Sequence, residues 1–248
     1  MTTQRKAHKG AALVIGVGAQ SGFGAGLARR FAREGLRVTI SGRTPGRLEL
    51  VAAQIVADGG VVATKVADAT SEADVGALFD EADRDGDLEL VVYNVGSNVA
   101  ALAQDTTPDL FERLWRQNAY GGFVVGREAT RRLSERGKGT ILFTGATASL
   151  RARPPFLGFA AAKAALRAVA QGLAREFGPK GIHVAHIVID GVIAGEYAAT
   201  NFAEYARSKG ADGVLAVDDI ADAYWGLHCQ KRSAWTHEMD LRPFKEPF

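Results

Sequence analysis

The chain changes rhythm repeatedly: short β-branched runs alternate with longer stretches whose apolar residues recur at three- and four-residue spacing. The short runs predict strands at Leu13 to Val17, Arg37 to Ser41, Val61 to Val66, Leu88 to Tyr93, Thr140 to Thr144, His183 to Ile189 and Trp235 to Leu241. The longer ones predict helices over Gly24 to Glu34, Arg47 to Asp58, Glu72 to Arg84, Pro108 to Glu135, Phe156 to Phe177 and Val217 to Gln230. Such alternation is the signature of βαβ units, and apolar runs like Leu13-Val14-Ile15 and Leu90-Val91-Val92 suit a sheet covered on both faces. The expected fold is α/β: a single Rossmann-type, doubly wound domain over residues 1–248, with a mostly parallel seven-stranded sheet and helices on both faces.

Composition narrows the partners. The 248 residues are 47% apolar and carry 30 Lys+Arg against 28 Asp+Glu, a net charge of +2. The basic residues are dispersed, so the stripe that binds a phosphate backbone is missing and nucleic acid is not an expected partner. Cys229 is the only cysteine, which excludes an internal disulfide framework and a Cys-based zinc site; no metal is expected. No apolar run is long enough to span a membrane. The basic start Met1 to Lys9 leads into apolar Ala11 to Ala19, which ends in a glycine-rich turn and not in a cleavage site. The expected location is the cytoplasm.

Candidate chemistry begins at the first strand-to-helix turn, Gly18-Ala19-Gln20-Ser21-Gly22-Phe23-Gly24. Residues without Cβ let the backbone turn tightly and approach a pyrophosphate, while the helix start offers N–H groups and positive dipole. The spacing is G-x-x-x-G-x-G, since Ser21 occupies the third glycine position counted from Gly16 and Gly18 in the commoner G-x-G-x-x-G. At the end of the second strand, where NAD-selective enzymes place a carboxylate for the ribose hydroxyls, the chain has Ser41-Gly42-Arg43. A guanidinium there suits a 2′-phosphate, so NADP(H) is favoured over NAD(H) as cofactor.

These motifs, in this order, resemble the short-chain dehydrogenase/reductase (SDR) family along nearly the whole chain. The resemblance gives Gly18, Gly22 and Gly24 as cofactor glycines, with Gln20, Ser21 and Phe23 in the same turn. It gives Asp68 as the adenine contact and Asn94-Val95-Gly96 as the segment after the fourth strand. It also gives Asn118 as the active-site asparagine and Lys163 as the lysine that holds the nicotinamide ribose and lowers the pKa of a catalytic tyrosine. The active site is atypical. The tyrosine position, four residues before Lys163, holds Phe159, and the serine position thirteen residues before that holds Ala146. The longer spacing used by enoyl reductases of the family lands on Phe156. Shifted hydroxyls are available at Thr147 or Ser149, and the remaining candidate proton donors are Tyr93, Tyr197 and Lys163 itself.

Two functions follow as expectations. One is an NADP(H)-dependent oxidoreductase acting on a small carbonyl or alcohol substrate through a non-standard proton relay, with Asn118 and Lys163 as the catalytic residues. The alternative is a catalytically degenerate relative that binds NADP(H) as a sensor or interaction partner. The resemblance further implies a substrate lid at about 191–213 and a homodimer or homotetramer built on the long helices Pro108 to Glu135 and Phe156 to Phe177. His183 and His186, three apart on a strand, point to opposite faces and share no metal; the roles of Asp190, Arg151 and Arg153 stay open.

Overall fold

The structure is a computed structural model that describes residues 9–246. The basic start, apart from Lys9, lies outside the described residues. The strands are β1 Ala11–Ile15, β2 Arg37–Gly42, β3 Val61–Val66, β4 Leu88–Tyr93, β5 Gly139–Thr144, β6 Ile182–Ile189 and β7 Glu238–Leu241. The helices are α1 Phe23–Arg33, α2 Pro45–Ala57, α3 Glu72–Ala82, α4 Pro108–Trp115, α5 Gly121–Arg136, α6 Leu157–Phe177, α7 Glu196–Asn201, α8 Ala203–Lys209 and α9 Val217–His228. The seven strands form one sheet in the order β3-β2-β1-β4-β5-β6-β7, and every neighbouring pair is parallel.

Alternate side chains of each central strand feed two cores. Ala12, Val14, Leu90, Val92, Leu142 and Ile187 pack against α1, α2 and α9. Leu13, Val91, Tyr93, Ile141, Phe143 and Val184 pack against α3, α5 and α6. Removing one such buried aliphatic side chain from water is worth about 1.5–3 kcal/mol, so the apolar runs commit these strands to the middle of the sheet. The edge strands β3 and β7 have one neighbour each and depart from the expectation of burial on both faces, β3 being largely exposed and β7 only partly buried.

Three departures from the sequence reading have a local reason. β1 begins and ends two residues earlier, because the chain leaves the sheet at Gly16 (φ +96°) and the amides of Gly16 and Val17 both donate to Ser41 O at 2.9 and 2.8 Å. β7 starts at Glu238 and not at Trp235, whose ring turns away to stack on His183 at 5.0 Å. The expected helix Pro108 to Glu135 is two helices joined by a π-helical turn at Arg116–Tyr120. A π-turn inserts an extra residue without ending the helical rhythm, so apolar spacing passes through it unmarked.

The strand order fixes where a ligand can sit. From β1 the chain moves outward to β2 and β3, then returns to pair β4 on the other side of β1. The loops after β1 and β4 therefore diverge in opposite directions and leave a crevice at the carboxyl ends of the strands.

Candidate active site

A cavity of about 750 Å³ fills that crevice. Its walls are the glycine turn (Gly16, Val17, Gly18), the end of β2 (Gly42, Arg43, Thr44), Asp68 after β3, and Asn94 to Ser97 after β4. Arg47 on α2, Arg113 and Arg116 at α4, and Tyr197 on α7 complete it. Gly18, Arg43, Asp68, Asn94 and Gly96 from the sequence reading thus meet in one space. The volume lies within the range of ligand and cofactor sites.

Two glycines test whether a dinucleotide suits this space. Gly16 has φ +96°, and a Cβ on it would lie 2.6 Å from the backbone of Asn94, so only glycine fits where the turn after β1 packs against the chain leaving β4. A Cβ on Gly18 would meet nothing within 4 Å, which leaves its backbone open on the cavity side. Next to it α1, with Gly22 at its N-cap, has no side-chain cap and no acidic residue in its first turn, so its leading N–H groups remain for an anion. Phe23 takes no side-chain part: it is buried, edge-on to Tyr224 at 5.3 Å. Arg43 is exposed on the cavity rim with no ion-pair partner among the described residues. These donors suit a phosphorylated dinucleotide.

The corner that holds the expected catalytic residues lies behind Gly96 and Ser97. Lys163 is buried on α6; its Nζ donates to Thr144 O at 2.8 Å and Val95 O at 3.4 Å, and sits 3.9 Å from where a Cβ on Gly96 would be. Burial without a countercharge pulls its pKa from 10.5 down to about 7. The ring of Phe159 lies one helical turn away, its centroid 5.8 Å from Nζ, and carries no hydroxyl. Thr144 is held from the opposite face too, its hydroxyl bonded to Tyr224 at 2.9 Å.

Asn118 is fully buried in the π-turn, where its amide donates to Ser97 O at 3.0 Å and Leu114 O at 2.9 Å. Its side chain thereby fixes the loop carrying Gly96 and Ser97. The candidate hydroxyls are mostly committed. Tyr93 is buried and donates to Gln117 O at 2.6 Å, and burial drives its pKa upward, which removes it as a proton donor. Thr147 donates to Asp190 at 2.5 Å, and Ser149 accepts from the Ala146 amide at 3.1 Å. Tyr197 stays half exposed at the cavity rim and donates to Asn98 Oδ1 at 2.6 Å.

Some site features carry no sequence signal. Asp190, buried where β6 ends, accepts from Thr147 and pairs with Arg151 at 2.9 Å and Arg242 at 3.1 Å. These residues come from three separate stretches, so neither motif nor periodicity links them. His186 is buried and bonded to Glu238 at 3.0 Å, which is itself paired with Arg167; desolvation lowers the histidine pKa to about 4, so it is neutral near pH 7. His183 bonds Thr236 O at 2.8 Å. Among the described residues no group of three or more His, Cys, Asp or Glu is placed to share a metal ion, and no helix is long and apolar enough to cross a membrane.

The 191–213 stretch holds α7 and α8 and reaches over the cavity. The Glu196 amide donates to Ser21 Oγ at 3.2 Å, and Glu196 pairs with Arg47 at 3.0 Å. Tyr197 meets Asn98 on the far side.

With this geometry in place, comparisons with known proteins are informative. Residues 11–206 match the family model of the short chain dehydrogenases. A glucose 1-dehydrogenase of Gluconobacter oxydans is 32% identical over 69% of this chain, and the match covers 65% of that protein's own length. The versicolorin reductase stcU of Emericella nidulans is 30% identical over 85% of this chain and 78% of its own. Among solved structures, a short-chain dehydrogenase from Rhodopseudomonas palustris shares 40% identity, covers 94% of this chain and 98% of its own, and superposes with a TM-score of 0.81.

Proposed function

The chain belongs to the short-chain dehydrogenase family, and on that premise we propose that it is an NADP(H)-dependent oxidoreductase of a small carbonyl or alcohol, with Lys163 and not a tyrosine as its proton-holding group. The observation that carries this reading is Lys163, a buried amine with a pKa of about 7, one helical turn from a phenylalanine and just behind the cavity wall. A general acid works best with a pKa near the working pH, and Lys163 meets that condition without a partner hydroxyl.

The roles divide by position. Gly18 and the start of α1 would hold the pyrophosphate, Arg43 the 2′-phosphate, Asp68 the adenine, and Asn94 and Gly96 the ribose side of the nicotinamide. The bound nicotinamide supplies or accepts the hydride. Lys163 Nζ holds a proton near neutral pH and is kept in register by Thr144 O and Val95 O. Asn118 positions the Gly96 and Ser97 loop. Phe159 and Ala146 present apolar surface where the family presents hydroxyls, so the substrate is gripped through other groups. Exposed Phe111, Trp115, Phe123 and Leu157 on α4, α5 and α6 support a homo-oligomer formed on those helices.

The test is fluorescence titration with NADPH and NADH, followed by loss of nicotinamide absorbance over a panel of carbonyls across pH. Binding with turnover that falls away as pH rises through about 7, and a Lys163→Met variant that binds but does not turn over, support the reading. Tight binding with no turnover on any carbonyl would favour the coenzyme-sensing alternative. Absence of binding refutes the cofactor site.

A further inference from the structure

The corner that selects between the two dinucleotides lacks a carboxylate of its own: β2 runs out into Ser41-Gly42-Arg43. A carboxylate nevertheless arrives there from a distant part of the chain. Glu196, the first residue of α7, pairs with Arg47 at 3.0 Å, and Arg47, in the first turn of α2, lines the same cavity as Arg43. The position of Glu196 is fixed by its own neighbours. Its amide donates to Ser21 Oγ in the glycine turn, and the preceding Gly195 packs so closely that a Cβ there would lie 2.6 Å from Ser21 O. Tyr197, the next residue, reaches across the cavity to Asn98 at 2.6 Å.

We infer that Glu196 is a specificity-determining residue that weakens the preference for a 2′-phosphate by competing for Arg47. The inference rests on the dinucleotide reading given above. A 2′-phosphate at this corner is best held by Arg43 and Arg47 together, and two guanidiniums present their N–H groups to its oxygens as no single one can. Arg47 reaches the phosphate only by giving up Glu196. A ribose hydroxyl makes no such demand, so NADH leaves the Arg47 to Glu196 pair intact. The size of the effect follows from exposure. The two side chains are 51% and 52% exposed, and ion pairs of that kind are worth little, so the bias is about two- to fivefold and fades at high salt.

Dissociation constants of NADPH and NADH, measured by fluorescence at low and high ionic strength, test this on four proteins: wild type, Glu196→Gln, Arg47→Gln and the double variant. Glu196→Gln tightens NADPH by about two- to fivefold at low salt and leaves NADH unchanged. Arg47→Gln weakens NADPH, and in its presence Glu196→Gln has no further effect. A Glu196→Gln variant that leaves NADPH unchanged, or moves both dinucleotides equally, overturns the inference, as does an effect that survives in the double variant. Failure of the wild type to bind either dinucleotide is a different result, because it removes the coenzyme reading itself.

Discussion

Replacing Lys163 by methionine tests the energetics of the proposed site without any ligand. The lysine has a pKa of about 7 in the folded protein and 10.5 as its ordinary value, because burial disfavours its charge. At pH 7 nearly every unfolded chain carries that charge but only half of the folded chains do. The linkage costs the native state about 4 kcal/mol there. The sign follows from a depressed folded pKa: stability is highest above pH 10.5 and is lost as pH falls toward 7, below which this group adds no further change. Methionine fills similar space and abolishes the penalty, but leaves Thr144 O and Val95 O without their donor, at a cost of about 1–3 kcal/mol. The apo variant is therefore more stable than the wild type by about 2 kcal/mol at pH 7, and that advantage is gone by about pH 9, where the linkage cost has halved. Urea unfolding of both proteins at the two pH values reads the difference. A gap that stays constant between them would falsify the assignment of a depressed Lys163 pKa.

Four other substitutions separate local roles. Phe159→Tyr places a hydroxyl close to Lys163, which already holds the proton, so steady-state reduction of simple carbonyls changes by less than about tenfold; a gain of about a hundredfold or more shows that the missing phenol limits the site and favours the degenerate alternative. Gly16→Ala forces a side chain into the backbone of Asn94 at φ +96° and costs at least about 2 kcal/mol in thermal or urea unfolding, whereas Gly18→Ala unfolds like the wild type yet binds NADPH about tenfold more weakly. Equal stability losses in the two glycine variants would contradict this division. Asp190→Ala leaves Arg151 and Arg242 without their shared buried carboxylate and destabilises by about 3 kcal/mol in urea unfolding; a loss under about 1 kcal/mol would show the cluster to be ornamental.

The sheet was legible because its signal is local. Each buried strand announces itself within five or six residues, and the glycine turn between β1 and α1 is punctuation that no helix or strand tolerates in its middle. Substituted positions were equally plain, since Phe159 and Ala146 are found by counting from Lys163. Four things were not. The π-turn around Asn118 preserves the apolar rhythm of the helices it joins, so the long segment reads as one helix. Tyr93 reads as a candidate donor until its strand face is known; it lies on the side covered by α5, where its hydroxyl is bound and dry. The Asp190 cluster and the Glu196 to Arg47 pair join residues 39 to 149 positions apart, and charge pairing at that range leaves no trace in spacing or composition.

Thr144 is gripped from both sides of the sheet: Lys163 of α6 takes its carbonyl, and Tyr224 of α9 takes its hydroxyl. The two helices belong to different layers, one in each core. A single strand residue therefore works as a rivet through the sheet, and the height at which the lysine sits behind the cavity is set in part by a phenol that no ligand meets. Drift in sequence on the far layer has a direct mechanical route to the buried amine, so tolerance to change around Tyr224 is a measure of how finely that amine must be placed.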